Sequence, residues 1–145
     1  MEMNTINEAG LELIKEFEGC KLAAYLDSVG VPTIGVGHTK GVKMGDTCTQ
    51  EEADAFLRED LEHAEKCVNR AVTVPLTDNE FAALVSLVFN IGCGNFQKST
   101  LLRKINDSDF NGAEQEFRRW DKAGDQVLAG LTRRRLAEAR LFDTA

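Results

Sequence analysis

The sequence predicts an α+β fold, mostly helical, with one small antiparallel β-sheet near the N-terminus. Three observations carry that expectation. From residue 49 almost to the C-terminus, apolar residues recur at helical spacing. Two capping boxes, Thr49-Gln50-Glu51-Glu52 and Thr77-Asp78-Asn79-Glu80, mark helix starts within that stretch. Before it, residues 22 to 45 hold only short apolar pieces, LAAY and TIGV, broken by Asp27, Ser28, Gly30, Pro32, Gly35 and Gly37.

Each element has its own warrant. Ile6, Ala9, Leu13, Ile14 and Phe17 share a helical face, and Gly19 follows, so a first helix spans about 5–18 with Glu18 at its C-terminal end. The broken stretch forms a sheet unit over about 19–48. After Thr49, the residues Ala53, Phe56, Leu57, Leu61, Ala64, Cys67 and Val68 line one face of a helix over about 50–70. Its other face holds seven Asp+Glu and two Lys+Arg between residues 51 and 66, as a solvated face would. Pro75 stops that helix. The next is almost wholly apolar at Phe81, Leu84, Val85, Val88 and Phe89, which makes it the buried central helix. Residues 90 to 96 read as a turn, and shorter helices follow near 99–106, 109–120 and 132–142. The chain of 145 residues reads as one domain. Within it, the sheet unit and a helical unit, 71–145 plus the first helix, share the 50–70 helix, with a cleft expected between them.

Composition excludes several classes. The net charge is −7. Residues 1–97 contribute −9 (7 Lys+Arg, 16 Asp+Glu) and residues 98–145 contribute +2 (10 and 8). An acidic balance argues against bulk nucleic-acid binding, although the basic C-terminal third suits a polyanion. Cysteines stand at 20, 48, 67 and 93 with no CxxC, and only two His occur, so no metal site is expected. In a chain of this length without a signal peptide, the four are expected as buried or half-buried free thiols. No run reaches the roughly 18 apolar residues of a membrane span. The expectation is a protein made in the cytosol, with no signal peptide or membrane anchor.

Chemistry concentrates in FEGCKLAAYLDSVGVPTIGVGHT, residues 17 to 39. Glu18, Asp27 and Thr33 supply what cleavage of a glycosidic bond needs: a proton for the leaving oxygen, a carboxylate for the opposite face of the sugar, and a hydroxyl to hold water. The acid has to be protonated near neutral pH, so partial burial is expected at Glu18, beside Phe17. Asp27, in a strand or turn next to Ser28, is expected to be more solvated and ionised. Gly35 and Gly37 suit either a close approach of backbone or an ordinary sheet bend.

The pattern E-G-x-x-L-x-x-Y-x-D-x-x-G-x-x-T-I-G-x-G-H over residues 18–38 resembles the catalytic hairpin of the phage-type lysozymes, the endolysins of glycoside hydrolase family 24. The resemblance continues through LVFNIG and Phe96, through W-x-x-A-G at Trp120–Gly124, and through GLTRRRLAEARLF at 130–142. It implies a lysozyme-like fold and hydrolysis of the 1,4-β linkage between N-acetylmuramic acid and N-acetylglucosamine in peptidoglycan, lysing the host at the end of a phage cycle. Carried over, it implies Glu18 as general acid, Asp27 as catalytic carboxylate, Thr33 positioning water, and inversion at the anomeric carbon. It further implies that Thr39, Phe89 and Ser99 touch substrate, that His38 braces the hairpin, and that Arg134 reaches Glu18. Residue reading alone leaves Phe89 and Trp120 as core aromatics, Ser99 as an N-cap, and the Arg133–Arg135 run as a basic patch in the first turn of the last helix. That is the unfavourable end for positive charge, so something should compensate it. No cofactor is implied. A holin is implied as functional partner, because a soluble, monomeric enzyme held in the host cytoplasm reaches the periplasm and wall only after the membrane is permeabilised.

Three competitors remain. A lytic transglycosylase needs one acid and no hydrolytic water, which Asp27 and Thr33 argue against. A non-catalytic wall-binding module would not need Glu18. A DNA-binding domain built on the arginine run is opposed by the net charge.

Overall fold

The computed structural model describes residues 3–145. The chain divides into two compact units: Ile14–Glu62, and the residues up to Leu13 together with His63–Ala145. The α+β class expected from the sequence is the one observed.

The Ile14–Glu62 unit holds the end of α1 (Glu8–Glu18), the strands β1 (Lys21–Leu26) and β2 (Pro32–Gly35), and the start of α2 (Gln50–Ala71). Gly19 ends α1 at φ +78°, a conformation costly for any residue with a Cβ. The strands pair antiparallel, with Tyr25 opposite Thr33 and Leu26 opposite Pro32; a register shift lies between Lys21 and Tyr25. The segment leading into α2 lines up alongside β1 through an Ala23–Thr47 bridge, with Cys48 N donating to Leu22 O at 2.9 Å. The Thr49 capping box is present: Glu52 N donates to Thr49 Oγ1, and Thr49 N to Glu52 Oε1. Ala53, Leu57 and Leu61 of α2 are buried, as are Ile14, Ile34 and Val36. Gly35 answers the question its sequence position raised. An added Cβ there would stand 3.2 Å from Ala53 Cβ, so glycine lets strand and helix approach closely.

In the other unit, Asn7 caps α1 by accepting from Gly10 N, and Ile6 N donates to Glu65 Oε2. Gly10 is packed so closely that a Cβ would stand 2.8 Å from Ala82 Cβ. Ala82 belongs to α3 (Asp78–Ile91), which opens with the Thr77 capping box and is buried without interruption from Phe81 to Val88. It packs against α7 (Ala129–Phe142). Between them come α4 (Cys93–Gln97), α5 (Thr100–Asn106), α6 (Phe110–Glu116) and a 3-10 turn at Phe117–Arg119. A two-stranded hairpin, β3 (Lys122–Ala123) and β4 (Gln126–Val127), follows.

Several expectations are corrected here. The 90–96 turn contains a helix, because Phe96 is fully buried and anchors α4. The helix expected to run to residue 120 ends at Glu116, and the second hairpin was not anticipated. The last helix starts at Ala129, so Arg133–Arg135 sit beyond its first turn. Phe89 and Trp120 are half-buried rather than core. Cys67 and Cys93, 26 residues apart, form a disulfide, which corrects the expectation of four free thiols. Cys20 is free and exposed, and Cys48 is free and half-buried, its thiol pushed up by burial and by neighbouring Glu52. The bond closes a loop carrying the end of α2 and all of α3. Reduction is expected to cost about 3 kcal/mol through loop entropy, lowering the melting midpoint by roughly 10 °C. Calorimetry with and without dithiothreitol checks this, and a Cys67→Ser/Cys93→Ser double variant should be indifferent to the reductant.

Candidate active site

Glu18, Asp27, Thr33, His38 and Thr39 all fall in the Ile14–Glu62 unit; Phe89, Ser99 and Arg134 belong to the other. Glu18 is the last residue of α1 and is exposed, which corrects the expectation of partial burial: the apolar stripe of the helix is deepest at Ile14 and does not extend to its end. Its carboxylate lies beside the backbone turn that follows β2. A Cβ at Gly37, where φ is +73°, would stand 3.8 Å from Glu18 Oε1. That turn is closed by mutual backbone hydrogen bonds between Ile34 and His38, each 2.9 Å.

Asp27 occupies the β1–β2 turn. Its Oδ1 accepts from Val29 N at 2.9 Å and Val31 N at 2.8 Å, and its own N–H and C=O pair with Val31 O and Gly30 N. An aspartate bonding the backbone two residues on is the expected device for such a turn. Here it also fixes the carboxylate plane. Among the described residues, Oδ2 accepts no hydrogen bond, so one oxygen is held by the fold and the other is open. Thr33, across the ladder from Tyr25, is 3% exposed and donates its hydroxyl to Val31 O at 2.9 Å. With its proton committed, that oxygen has only lone pairs to offer.

His38 is buried and braced from two sides by α2. Its ring stacks on Phe56, centroids 4.3 Å apart and 6° from parallel, and Nδ1 lies 2.8 Å from Asp60 Oδ2. Phe56 and Asp60 stand four residues apart, on one helical face. Thr39, next along the chain, is exposed.

In the other unit, Ser99 is the N-cap of α5: its Oγ accepts from Leu102 N at 3.0 Å and donates to Phe96 O at 2.6 Å. It also borders a surface cavity of about 320 Å³ with Lys98, Glu116 and Trp120. Arg134 is 4% exposed, with Nε 3.2 Å from Glu138 Oε2 and Nη2 donating to Ser86 O. Arg135, fully buried, places Nε 2.9 Å from Glu138 Oε1. Glu138 compensates the buried charges of Arg134 and Arg135. Burial pushes its carboxyl up, against the pull of both guanidinium groups and the Ser86 hydroxyl. Sequence reading missed it, although a Glu placed three and four residues after two arginines on an otherwise buried helix face is a legible pairing signal.

A family model described as phage lysozyme matches residues 15–138, which is most of the chain. The chain belongs to the phage lysozyme family. An endolysin of Acyrthosiphon pisum secondary endosymbiont phage 1 is 49% identical over 144 residues, covering 97% of this chain and 99% of that one. The endolysin of Salmonella phage P22 is 42% identical over 142 residues, covering 94% and 97%. Among solved structures, a P22 lysozyme variant superimposes with a TM-score of 0.92 at 41% identity, covering 98% of this chain and 100% of that chain. The muramidase domain of SpmX from Asticaccaulis excentricus gives 0.90 at 43%, covering 98% and 99%. This member of the phage lysozyme family is a glycoside hydrolase of the endolysin type, and its fold is the lysozyme-like α+β fold.

Proposed function

We propose that this phage lysozyme cleaves the 1,4-β bond between N-acetylmuramic acid and N-acetylglucosamine in peptidoglycan, with Glu18 as general acid, Asp27 as catalytic carboxylate and Thr33 positioning water. The observation that carries the assignment is the state of Asp27. Two backbone N–H groups hold one oxygen and leave the other open, within the same short segment as Glu18 and Thr33. Glu18, exposed in the free enzyme, is covered by the glycan when substrate binds and gives its proton to the leaving oxygen. Thr33 Oγ1, its own proton held by Val31 O, accepts a hydrogen bond from the attacking water and so turns a water lone pair outward. Asp27 Oδ2 then takes the other proton, or balances positive charge at the anomeric carbon, with inversion. His38 holds the turn beside Glu18 in place. Arg134 supports Glu18, and Thr39, Phe89 and Ser99 contact glycan. The enzyme acts as a monomer without cofactor.

Among the described residues, no helix is long and apolar enough to cross a membrane. We propose that the protein stays in the host cytoplasm until a holin-type partner opens the membrane. Expression alone causing lysis at the normal rate, with the membrane intact, would overturn that dependence.

Mass spectrometry of products from purified sacculi tests the chemistry. Hydrolysis leaves reducing muramic acid ends; 1,6-anhydromuramic ends would replace this reading with a lytic transglycosylase.

A further inference from the structure

Asn90 lies next to last in α3, exposed, between half-buried Phe89 and Ile91. Its Oδ1 accepts from Arg135 Nη2 at 2.9 Å. That guanidinium is wholly buried and is itself held by Glu138. A guanidinium carries donors only, so the Asn90 amide can meet it only through oxygen. The flip of this side chain is therefore set by chemistry, and Nδ2 is turned away from Arg135. Among the described residues, Nδ2 donates to nothing. A surface amide ordinarily rotates between hydration partners. Here a buried charge fixes it, and both remaining N–H groups are presented to whatever occupies the surface. Orienting a group before its ligand arrives is how binding avoids an ordering cost.

We propose that Asn90 is a substrate-contacting, specificity-determining residue whose oriented Nδ2 donates to an acyl oxygen of the wall polymer. The proposal rests on the reading of this chain as a peptidoglycan hydrolase. Two sources of acyl oxygen exist in that polymer: the N-acetyl groups of the sugars and the carbonyls of the stem peptides. The common requirement is a neutral acceptor, which a fixed NH₂ matches and a carboxylate in its place would not.

Asn90→Asp separates this role from a merely structural one. Aspartate is isosteric and still accepts from Arg135, so the melting midpoint should not fall; both donors, however, are lost. KM is expected to rise about three- to tenfold, the range for one uncharged hydrogen bond, with kcat little changed. Asn90→Ala should raise KM similarly without adding charge, which separates donor loss from repulsion of anionic stems. Both variants are assayed on intact sacculi and on glycan strands stripped of stem peptides by an amidase. A rise on both substrates assigns the N-acetyl oxygen, and a rise confined to intact sacculi in both variants assigns a stem-peptide carbonyl. If both variants stay within twofold of wild type on both substrates, or if activity falls only in step with melting, the proposal is overturned. Full activity of Glu18→Gln would instead overturn the hydrolase assignment beneath it, so the two failures are distinguishable.

Discussion

Glu18→Gln is expected to lower kcat for wall cleavage by about 10²–10⁴-fold, the usual contribution of a positioned general acid. Glutamine keeps the length and shape of glutamate and one acceptor oxygen, and removes the charge and the transferable proton. The loss should appear in kcat, because proton donation develops in the transition state and adds little to ground-state binding. Stability should change far less than activity. Glu18 is exposed at the C-terminus of α1, where a negative charge opposes the helix dipole, and glutamine fills the same space. That separation of activity from folding distinguishes a catalytic carboxylate from a structural one. Turbidity loss of purified sacculi, with circular dichroism melts of both proteins, checks it. A kcat within threefold of wild type would remove Glu18 from the mechanism.

The helices were legible where the chain carries its own punctuation. Both capping boxes form as written, and the stretch from Phe81 to Val88, apolar but for Ser86, is buried as its pattern requires. The β1–β2 hairpin was legible for a related reason: Asp27, Gly30 and Pro32 are turn chemistry, and the candidate catalytic residues lie within one short segment, so local sequence places them together. What escaped depends on distant partners. The strands at Lys122–Ala123 and Gln126–Val127 are two residues each, too short for any alternation to show. Gly92 and Gly94 read as a turn, yet α4 forms between them and beyond because Phe96 is drawn into the core and Cys93 is tied to Cys67. No spacing rule pairs cysteines 26 residues apart. Glu18 was expected to be partly buried on the strength of its neighbour Phe17, but burial along α1 follows which residues meet the core, and its last residue does not.

Glu138→Ala is expected to be among the most destabilising single changes in the chain, by about 3–5 kcal/mol, the range for removing one partner from a buried ion pair. Glu138, Arg134 and Arg135 are all nearly or fully buried, and one carboxylate stands between two guanidinium groups that cannot lose their protons. Without it, two like charges remain in the interior, Ser86 Oγ loses its acceptor, and a space opens in the packing between α3 and α7. Glu138→Gln should cost less, since it keeps the volume and one acceptor oxygen, and it should alter the pH dependence. Burial pushes the Glu138 carboxyl upward, so the stability linked to this group is present below the ordinary carboxylate range and is lost as pH rises through the elevated value. The glutamine variant lacks that slope. Urea unfolding at several pH values reads both effects. The ion-pair account also predicts a partial rescue: Arg134→Met added to Glu138→Ala removes one of the two buried positive charges and should recover stability, even though each change alone is harmful. If the double variant were as unstable as the sum of its parts, the cost at Glu138 would lie in packing alone and the electrostatic account of α7 would fail.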